Sequence, residues 1–413
     1  MSFLVIFILF LTWRIIDFLV LILIHKFLPY LGFFPYKEIL PLFHLPEWLT
    51  KLANFDGTHY LLISQQGYMT YEQAYFPLYS ILIRLFSIIT HNEFISAFII
   101  SNGSFLVGLW IFSKLLKLYG LSKNQIFWSI LFLLLFPTSF FYGAIYTEGL
   151  FFLLFTACLY FLKKKNYLAA GICAFFASLT RLIGVFLIIP IGINLLQKLQ
   201  THVTKVTVQA NSKFQINKYL KNIFSILNTK YQILFLSPLI GLATYMTYLW
   251  ITVKDPLYFF SSQPIFGAHR STNLILFPQV YWRYFKIMFT ANHDFQYFVS
   301  LFEMSIFTLV FIFLIFDLFN HLKFISNFPY RVNKFKILNY NRFALSLFSL
   351  ANLLLPTLTG TFSSIPRYAL FSISFFVFLS QLKNSWFKLV IAILFFITHV
   401  ILLGFFAQGY FVG

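Results

Sequence analysis

Long apolar runs are the feature that most constrains what this chain can fold into. Stretches of about 18 or more apolar residues recur along the whole sequence, and each could cross the ~30 Å hydrocarbon core of a bilayer. The charged fraction agrees, because only 10% of the residues are charged, whereas a soluble domain has roughly 25%. We therefore predict an all-α, multi-pass integral membrane protein.

The positive charge of the chain is distributed as in a membrane protein. A net charge of +19 would suit a nucleic-acid partner, but the basic residues lie in short segments between apolar runs. This is the pattern of loops on the cytoplasmic side, where they meet anionic lipid headgroups. We expect membrane lipids as partners and no nucleic acid. The basic segments are Lys163–Lys165, 198–230, 323–342, and Lys383 with Lys388.

The orientation rule decides how many runs cross the membrane. Segments 75–90 and 274–290 are short or interrupted, and counting both as spans would place the basic loops outside. If both lie along the interface, the strongly basic loops share the cytoplasmic side. The sequence then predicts about eleven spans in a single domain, 1–413, with the N-terminus in the cytoplasm. The expected spans are 3–28, 95–118, 125–142, 147–162, 167–183, 184–199, 231–252, 297–319, 343–359, 367–381 and 386–408.

Three connecting segments follow from that count. Residues 29–94 form the first outer loop, with interfacial helices. Residues 200–230 form a basic cytoplasmic loop, and 253–296 form an outer loop with an interfacial helix. The location expected is the plasma membrane if the source is prokaryotic.

Arg14 and Asp17 lie three residues apart within the first apolar run, on one face of a helix. Charges at this depth are costly and usually face the bundle interior in pairs. The pair is therefore either a structural ion pair or a polar contact to a substrate headgroup. Cys158 and Cys173 fall inside apolar runs, where cysteine behaves as a small hydrophobe.

Asp56 is the first candidate for chemistry, because it is one of only 11 acidic residues in 413. It lies in the first outer loop, where a carboxylate can stay ionised and act as a general base. Gly57 permits a close approach, and His59 and Tyr60 supply hydrogen bonds or packing. The alternative is an aspartate that caps a short interfacial helix.

Further polar residues fall in the predicted outer segments. Glu148, near Tyr146, is either a site residue or a favourable charge on a helix dipole. Arg181, Arg270 and Arg367 are predicted on the same side as Asp56, and an arginine fork suits a phosphate. Snorkelling to the interface is the alternative for each arginine. Gln263 precedes Arg270 in the same loop.

Several classes of site find no support in the sequence. His269 and His293 have no metal-ligand spacing, so we predict no metal. No phosphate-binding glycine motif or cysteine pair occurs, which argues against a soluble nucleotide donor.

Short blocks along the chain resemble the PIG-V family, which includes GPI mannosyltransferase 2 and its prokaryotic relatives. The most specific block is Asn54-Phe55-Asp56-Gly57-Thr58-His59-Tyr60, although Phe55 stands where the family usually has Trp. The others follow in the family's order: Gly67-Tyr68, Ala74 to Tyr79, Pro137-Thr138-Ser139, Tyr146-Thr147-Glu148, Thr180-Arg181 with Gly184, Asp255-Pro256 with Gln263, and Pro366-Arg367-Tyr368.

The resemblance implies a GT-C fold and an inverting mannosyltransferase that takes mannose from a polyprenyl-phosphate carrier outside the cytoplasm. Asp56 would deprotonate the acceptor hydroxyl, and the outer arginines would hold the donor phosphate. A glycan or glycolipid would be the acceptor, and no cofactor or metal is implied. The alternatives are a GT-C enzyme that uses another lipid-linked sugar, and a transporter or flippase.

Overall fold

The computed structural model of the protein describes residues 1–31, 36–209, 229–266, 270–326 and 334–412, and over these residues the chain is helical with no strand. The longer α-helices, labelled in chain order, are α1 (Phe3–Leu23), α2 (Asp56–Gln66), α3 (Pro77–Thr90), α4 (Glu93–Leu118), α5 (Lys123–Leu135), α6 (Glu148–Lys163), α7 (Tyr167–Thr180), α8 (Ile188–Gln209), α9 (Thr229–Val253), α10 (Phe277–Thr290), α11 (Phe295–Ser326), α12 (Lys334–Leu354), α13 (Ile373–Ser380) and α14 (Ser385–Ala407).

Several of these helices are long and apolar enough to cross a membrane. In the described part of the chain 6 segments meet that requirement, and further apolar helices are shorter. A bilayer offers no hydrogen bonds to the backbone, so runs of this length are stable there only as helices or closed barrels. The protein is therefore a multi-pass membrane protein. The long segments are Phe3–Lys26, Glu93–Leu118, Tyr231–Val253, Phe295–Lys323, Tyr340–Thr359 and Ser385–Ala407.

The span expected at 184–199 falls on α8, which has 22 residues. The remaining expected spans coincide with shorter helices, and packing explains their length. Helix α6 has 16 residues and packs against both α4 and α7. Helix α13 has 8 residues, nearly all buried, and contacts α5, α11 and α12. A helix surrounded by protein can end inside the bundle if side chains or neighbouring segments satisfy its terminal backbone groups. The count of about eleven spans stays a prediction.

The pair Arg14 and Asp17 faces the bundle interior, as expected of a structural ion pair. Arg14 Nη1 lies 2.8 Å from Asp17 Oδ2, and His399 Nε2 from α14 lies 2.7 Å from Asp17 Oδ1. Arg14 Nη2 also donates to the carbonyl of Gly143, 3.3 Å away. All three side chains are buried, so the cluster joins α1, α14 and the segment before α6.

The segment 29–94, expected as the first outer loop, contains short helices and is tied to the end of α14. Between α1 and α2 the chain forms short turns of helix at Tyr36–Ile39, Leu40–Phe43, Glu47–Thr50 and Lys51–Ala53. Asn54 Nδ2 then donates to the carbonyl of Phe406 at 2.9 Å. The backbone N–H of Leu31 donates to the carbonyl of Gln408 at 3.0 Å. The segment that leads into α2 is therefore anchored to the end of α14 on the N-terminal side of Asp56.

Two expected segment boundaries need correction or fall outside the described residues. The basic stretch 200–230 was expected to be a loop, but α8 continues to Gln209 and α9 begins at Thr229. Its remainder, 210–228, lies outside the described residues, as do 267–269 with His269. The two segments expected at the interface form α3 and α10, each 14 residues long.

Candidate functional site

Asp56 is the first residue of α2, and the chain before it adopts a strained conformation. Phe55 has φ 61° and ψ −121°, a region that costs an L-residue free energy and recurs at functional sites. Its ring packs against those of Phe406 and Phe411, with centroids 5.6 and 5.3 Å away, which holds this conformation. The Asp56 carboxylate makes no capping hydrogen bond to α2, so the alternative role as a helix cap is wrong.

Gly57 allows α2 to lie close against the segment before α6. A Cβ atom at this position would be 3.1 Å from the carbonyl oxygen of Ile145 and 3.5 Å from the ring of Tyr146. The Tyr146 hydroxyl donates to the carbonyl of Asn54 at 2.8 Å. Gly57 and Tyr146 therefore position Asp56 through the backbone.

Glu148 begins α6 and binds an arginine from the end of α7. The Glu148 side chain is fully buried, and its Oε1 accepts a hydrogen bond from Nη1 of Arg181. The same Nη1 donates to the hydroxyl of Thr147 at 2.9 Å. Arg181 is itself only 8% exposed, so it does not snorkel to an interface.

Arg367 joins Glu148 to Asp56. Its Nε lies 3.0 Å from Glu148 Oε1, and its Nη1 lies 2.6 Å from Asp56 Oδ2. The guanidinium packs over the rings of Phe141 and Tyr146, about 5 Å from each centroid. We call Asp56, Arg367, Glu148 and Arg181 the acid–arginine network.

The network is most open to solvent at its Asp56 end. The Asp56 side chain is 26% exposed, against 9% for Arg367 and Arg181 and 0% for Glu148. Burial alone would raise the pKa of Asp56, but the charge and hydrogen bond of Arg367 outweigh it and hold that pKa below its usual value. Asp56 is therefore a carboxylate at neutral pH.

Aromatic and acidic side chains line the exposed side of Asp56. The hydroxyl of Tyr75 donates to Asp56 Oδ1 at 3.3 Å, and the ring of His59 stacks on Tyr75 with centroids 5.0 Å apart. His59 Nδ1 lies 3.0 Å from Glu72 Oε1. The Tyr60 ring packs edge-on against Tyr75, and burial with the charge of Asp56 raises the pKa of Tyr60.

Gln263 and Arg270 bind each other rather than the network. Arg270 Nη1 donates to Gln263 Oε1 at 3.1 Å, and no ion pair joins Arg270 to a carboxylate within the described ranges. Arg270 lies close enough for its charge to act on both Asp56 and Glu303. Two of the three arginines expected beside Asp56 thus form the network, and the third acts on it through its charge.

Some residues around the site were not predicted from the sequence. Tyr75 lies within a block that resembles the family, but no role was expected for it. Glu303 and Tyr284 support the segment before Arg367, and an acid inside an apolar run was a signal that could have found Glu303. Among the residues described, no group of three or more His, Cys, Asp or Glu side chains could hold a metal ion.

The fold and the site define a multi-pass membrane protein in which a partly exposed carboxylate, Asp56, lies at one end of an otherwise buried acid–arginine network. Comparisons with family models, curated proteins and solved structures find no match for this chain. The geometry and the short sequence blocks therefore carry the functional argument.

Proposed function

We propose that the protein is an inverting glycosyltransferase of the GT-C type, related to the PIG-V family. It moves mannose from a polyprenyl-phosphate-mannose donor to an acceptor hydroxyl on the non-cytoplasmic side of the membrane. The single observation that carries the proposal is the contact of Asp56 with Arg367 at the exposed end of a network that also contains Arg181. These residues come from blocks that resemble the family and are separated by most of the chain.

Asp56 has the properties of a general base in this reaction. It is ionised, and its side chain is the one in the network that an acceptor can reach. The acceptor O–H bond breaks as its proton passes to the carboxylate, and the acceptor oxygen forms a bond to C1 of the sugar. The bond from C1 to the phosphate oxygen breaks, and its electron pair leaves with the phosphate. Attack from the face opposite to the phosphate inverts C1.

Arg181 and Arg367 have the properties of a site for the leaving phosphate. In the described part of the chain, Arg367 uses Nε and Nη1 for carboxylates, and Arg181 uses Nη1. The Nη2 group of each arginine makes no hydrogen bond to a described residue and can donate to a phosphate oxygen. Fixed cations beside a developing negative charge are the largest source of stabilisation in such reactions. Glu148 offsets part of the positive charge and fixes both guanidinium groups.

An enzyme of the same type that uses another lipid-linked sugar is the nearest alternative, because the same groups would serve any sugar phosphate. A transporter or flippase is the alternative from another class. The buried cluster of Arg14, Asp17 and His399 is the observation that favours it. Those side chains bind one another and the backbone, which supports a structural role instead.

The test is transfer from polyprenyl-phosphate-mannose by the purified protein, with a short glycan or glycolipid acceptor. Asp56→Asn removes the proton acceptor at nearly constant volume, so we expect the rate to fall by about 100-fold or more. Asp294→Asn is the matched control, because Asp294 is exposed and caps the start of α11, which asparagine also does. Wild-type activity in Asp56→Asn would remove Asp56 from its role. Transfer of another sugar, and not of mannose, would select the nearest alternative.

A further inference from the structure

Glu303 is a buried acidic side chain outside the acid–arginine network. It lies on α11 and is only 4% exposed, although an acid in an apolar helix is costly unless its oxygens are hydrogen-bonded. Its Oε1 accepts from the backbone N–H of Ser364 at 3.1 Å, and its Oε2 accepts from the Tyr284 hydroxyl at 3.2 Å. Both oxygens are therefore bound to groups on or beside one segment.

That segment is residues 362–364, whose backbone amides are bound by side chains rather than by regular structure. The N–H of Phe362 donates to the Tyr284 hydroxyl at 3.0 Å, and the N–H of Ser363 donates to the hydroxyl of Thr361 at 3.0 Å. The Tyr284 hydroxyl is also 3.0 Å from the Thr361 hydroxyl. Buried amides need such partners, so these side chains determine the path of the segment.

The segment ends in a conformation that sets the position of Arg367. Ser364 is left-handed, with φ 66° and ψ 5°, which an L-residue adopts at a cost unless its surroundings impose it. Its carbonyl then accepts the N–H of Arg367 at 3.0 Å, which begins the short helix Ile365–Ala369. Glu303 thus holds the residue from which the turn carrying Arg367 starts.

We infer that Glu303, with Tyr284, is a positioning residue for Arg367, and that it keeps the guanidinium aligned between Asp56 and Glu148. The inference rests on the proposed function, because alignment matters only if Arg367 acts in the reaction. A displacement of about 1 Å in a group that stabilises a transition state can cost ~100-fold in rate. Tyr284 and Arg270 are the ionisable groups that act on Glu303.

The test compares Glu303→Met with Glu303→Gln. The glutamine oxygen can accept from Ser364, and its amide can donate to the Tyr284 oxygen while the hydroxyl turns to Thr361, so this variant should keep wild-type behaviour. Methionine leaves the Ser364 amide without its acceptor, and we expect kcat per folded molecule to fall about tenfold or more, with a smaller change in KM for the donor. Tyr284→Phe should reproduce this loss. Glu47→Met makes the same substitution at an exposed side chain and is the control.

Two further measurements separate positioning from a loss of folded protein. The acid limb of the pH–rate profile should move to higher pH in Glu303→Met, because a displaced Arg367 lowers the pKa of Asp56 less than it does in the wild-type protein. Arg270 and His59 still act on Asp56 in this variant. Hydrogen exchange of the amides of residues 362–365, 367 and 368 should quicken in Glu303→Met and not in Glu303→Gln. An unchanged kcat and pH profile in active Glu303→Met would overturn the inference.

The outcomes also separate this inference from the proposed function. If the wild-type protein transfers no lipid-linked sugar, the proposed function fails, and the inference that Glu303 serves catalysis fails with it. Hydrogen exchange does not require enzymatic activity, so it still shows whether Glu303 fixes the turn that carries Arg367. Unchanged exchange in Glu303→Met would remove even that structural basis.

Discussion

Arg367 binds two carboxylates with two different nitrogens, which a lysine cannot do with the same geometry. The fully buried Glu148 fixes one edge of the guanidinium, and the partly exposed Asp56 occupies another. Because the pKa of Asp56 is lowered, this ion pair stabilises the folded state at pH values above the pKa that aspartate has in the unfolded chain. That stability is lost as the pH falls through the lowered pKa of the folded protein.

Arg270 provides a test of the charge around Asp56 that leaves the network's contacts intact. Its positive charge contributes to the lowered pKa of Asp56, so Arg270→Gln should raise that pKa. A general base must be ionised, and the acid limb of the kcat/KM profile should therefore move to higher pH. The exposed Arg84→Gln on α3 should leave the limb in place. A limb that stays in place in Arg270→Gln would contradict this electrostatic account.

The sequence predicted the residues of the network but not their contacts. Asp56, Glu148, Arg181 and Arg367 were each candidates because charged residues are scarce and were expected on one side of the membrane. That Glu148 lies between the two arginines could not be foreseen, since Arg367 pairs with residues 219 and 311 positions away. Such distances are set by helix packing, which periodicity does not report.

Helix α6 carries Glu148 into the site because its first turn packs tightly against two neighbouring segments. A Cβ atom at Gly149 would overlap the carbonyl oxygen of Ser101 and lie 2.7 Å from that of Tyr142. Backbone atoms cannot move away as a flexible side chain can. The absence of a side chain here therefore lets α6 approach α4 beside the carboxylate.

Gly149→Ala should destabilise the protein by about 1–3 kcal/mol, the usual cost of inserting a methyl group into a packed region. Gly103→Ala on α4 is the matched control, because nothing lies within 4 Å of its Cβ position. There the better helix propensity of alanine should be neutral or stabilise by up to ~1 kcal/mol. Thermal unfolding in detergent measures both variants. Equal unfolding temperatures for the two would show that the contact at Gly149 is not tight.

At the scale of the whole molecule, we propose an orientation from the position of the site at the start of α6. This helix has 16 residues and rises about 24 Å, so its end at Lys163 lies far from Glu148. The lysines beside this end were expected in the cytoplasm.

The apolar runs predicted the helical class directly, whereas the length of each buried helix depends on its neighbours and was not predictable from the sequence.

Cysteine labelling tests this orientation. In a background with Cys158 and Cys173 replaced by alanine, Lys164→Cys and Asn292→Cys introduce exposed thiols. An impermeant maleimide should label Asn292→Cys in intact cells and Lys164→Cys only after the membrane is opened. Labelling of Lys164→Cys in intact cells would invert the proposed topology and place Asp56 toward the cytoplasm.

The bond from Asn54 to the carbonyl of Phe406 spans 352 positions, and this has a consequence for biosynthesis. The ribosome makes the turn before Asp56 early, but its anchor is added only after nearly all of α14 has been translated. Until then the nascent chain holds the carboxylate without its final support. The site therefore reaches its final form only after α14 has been made.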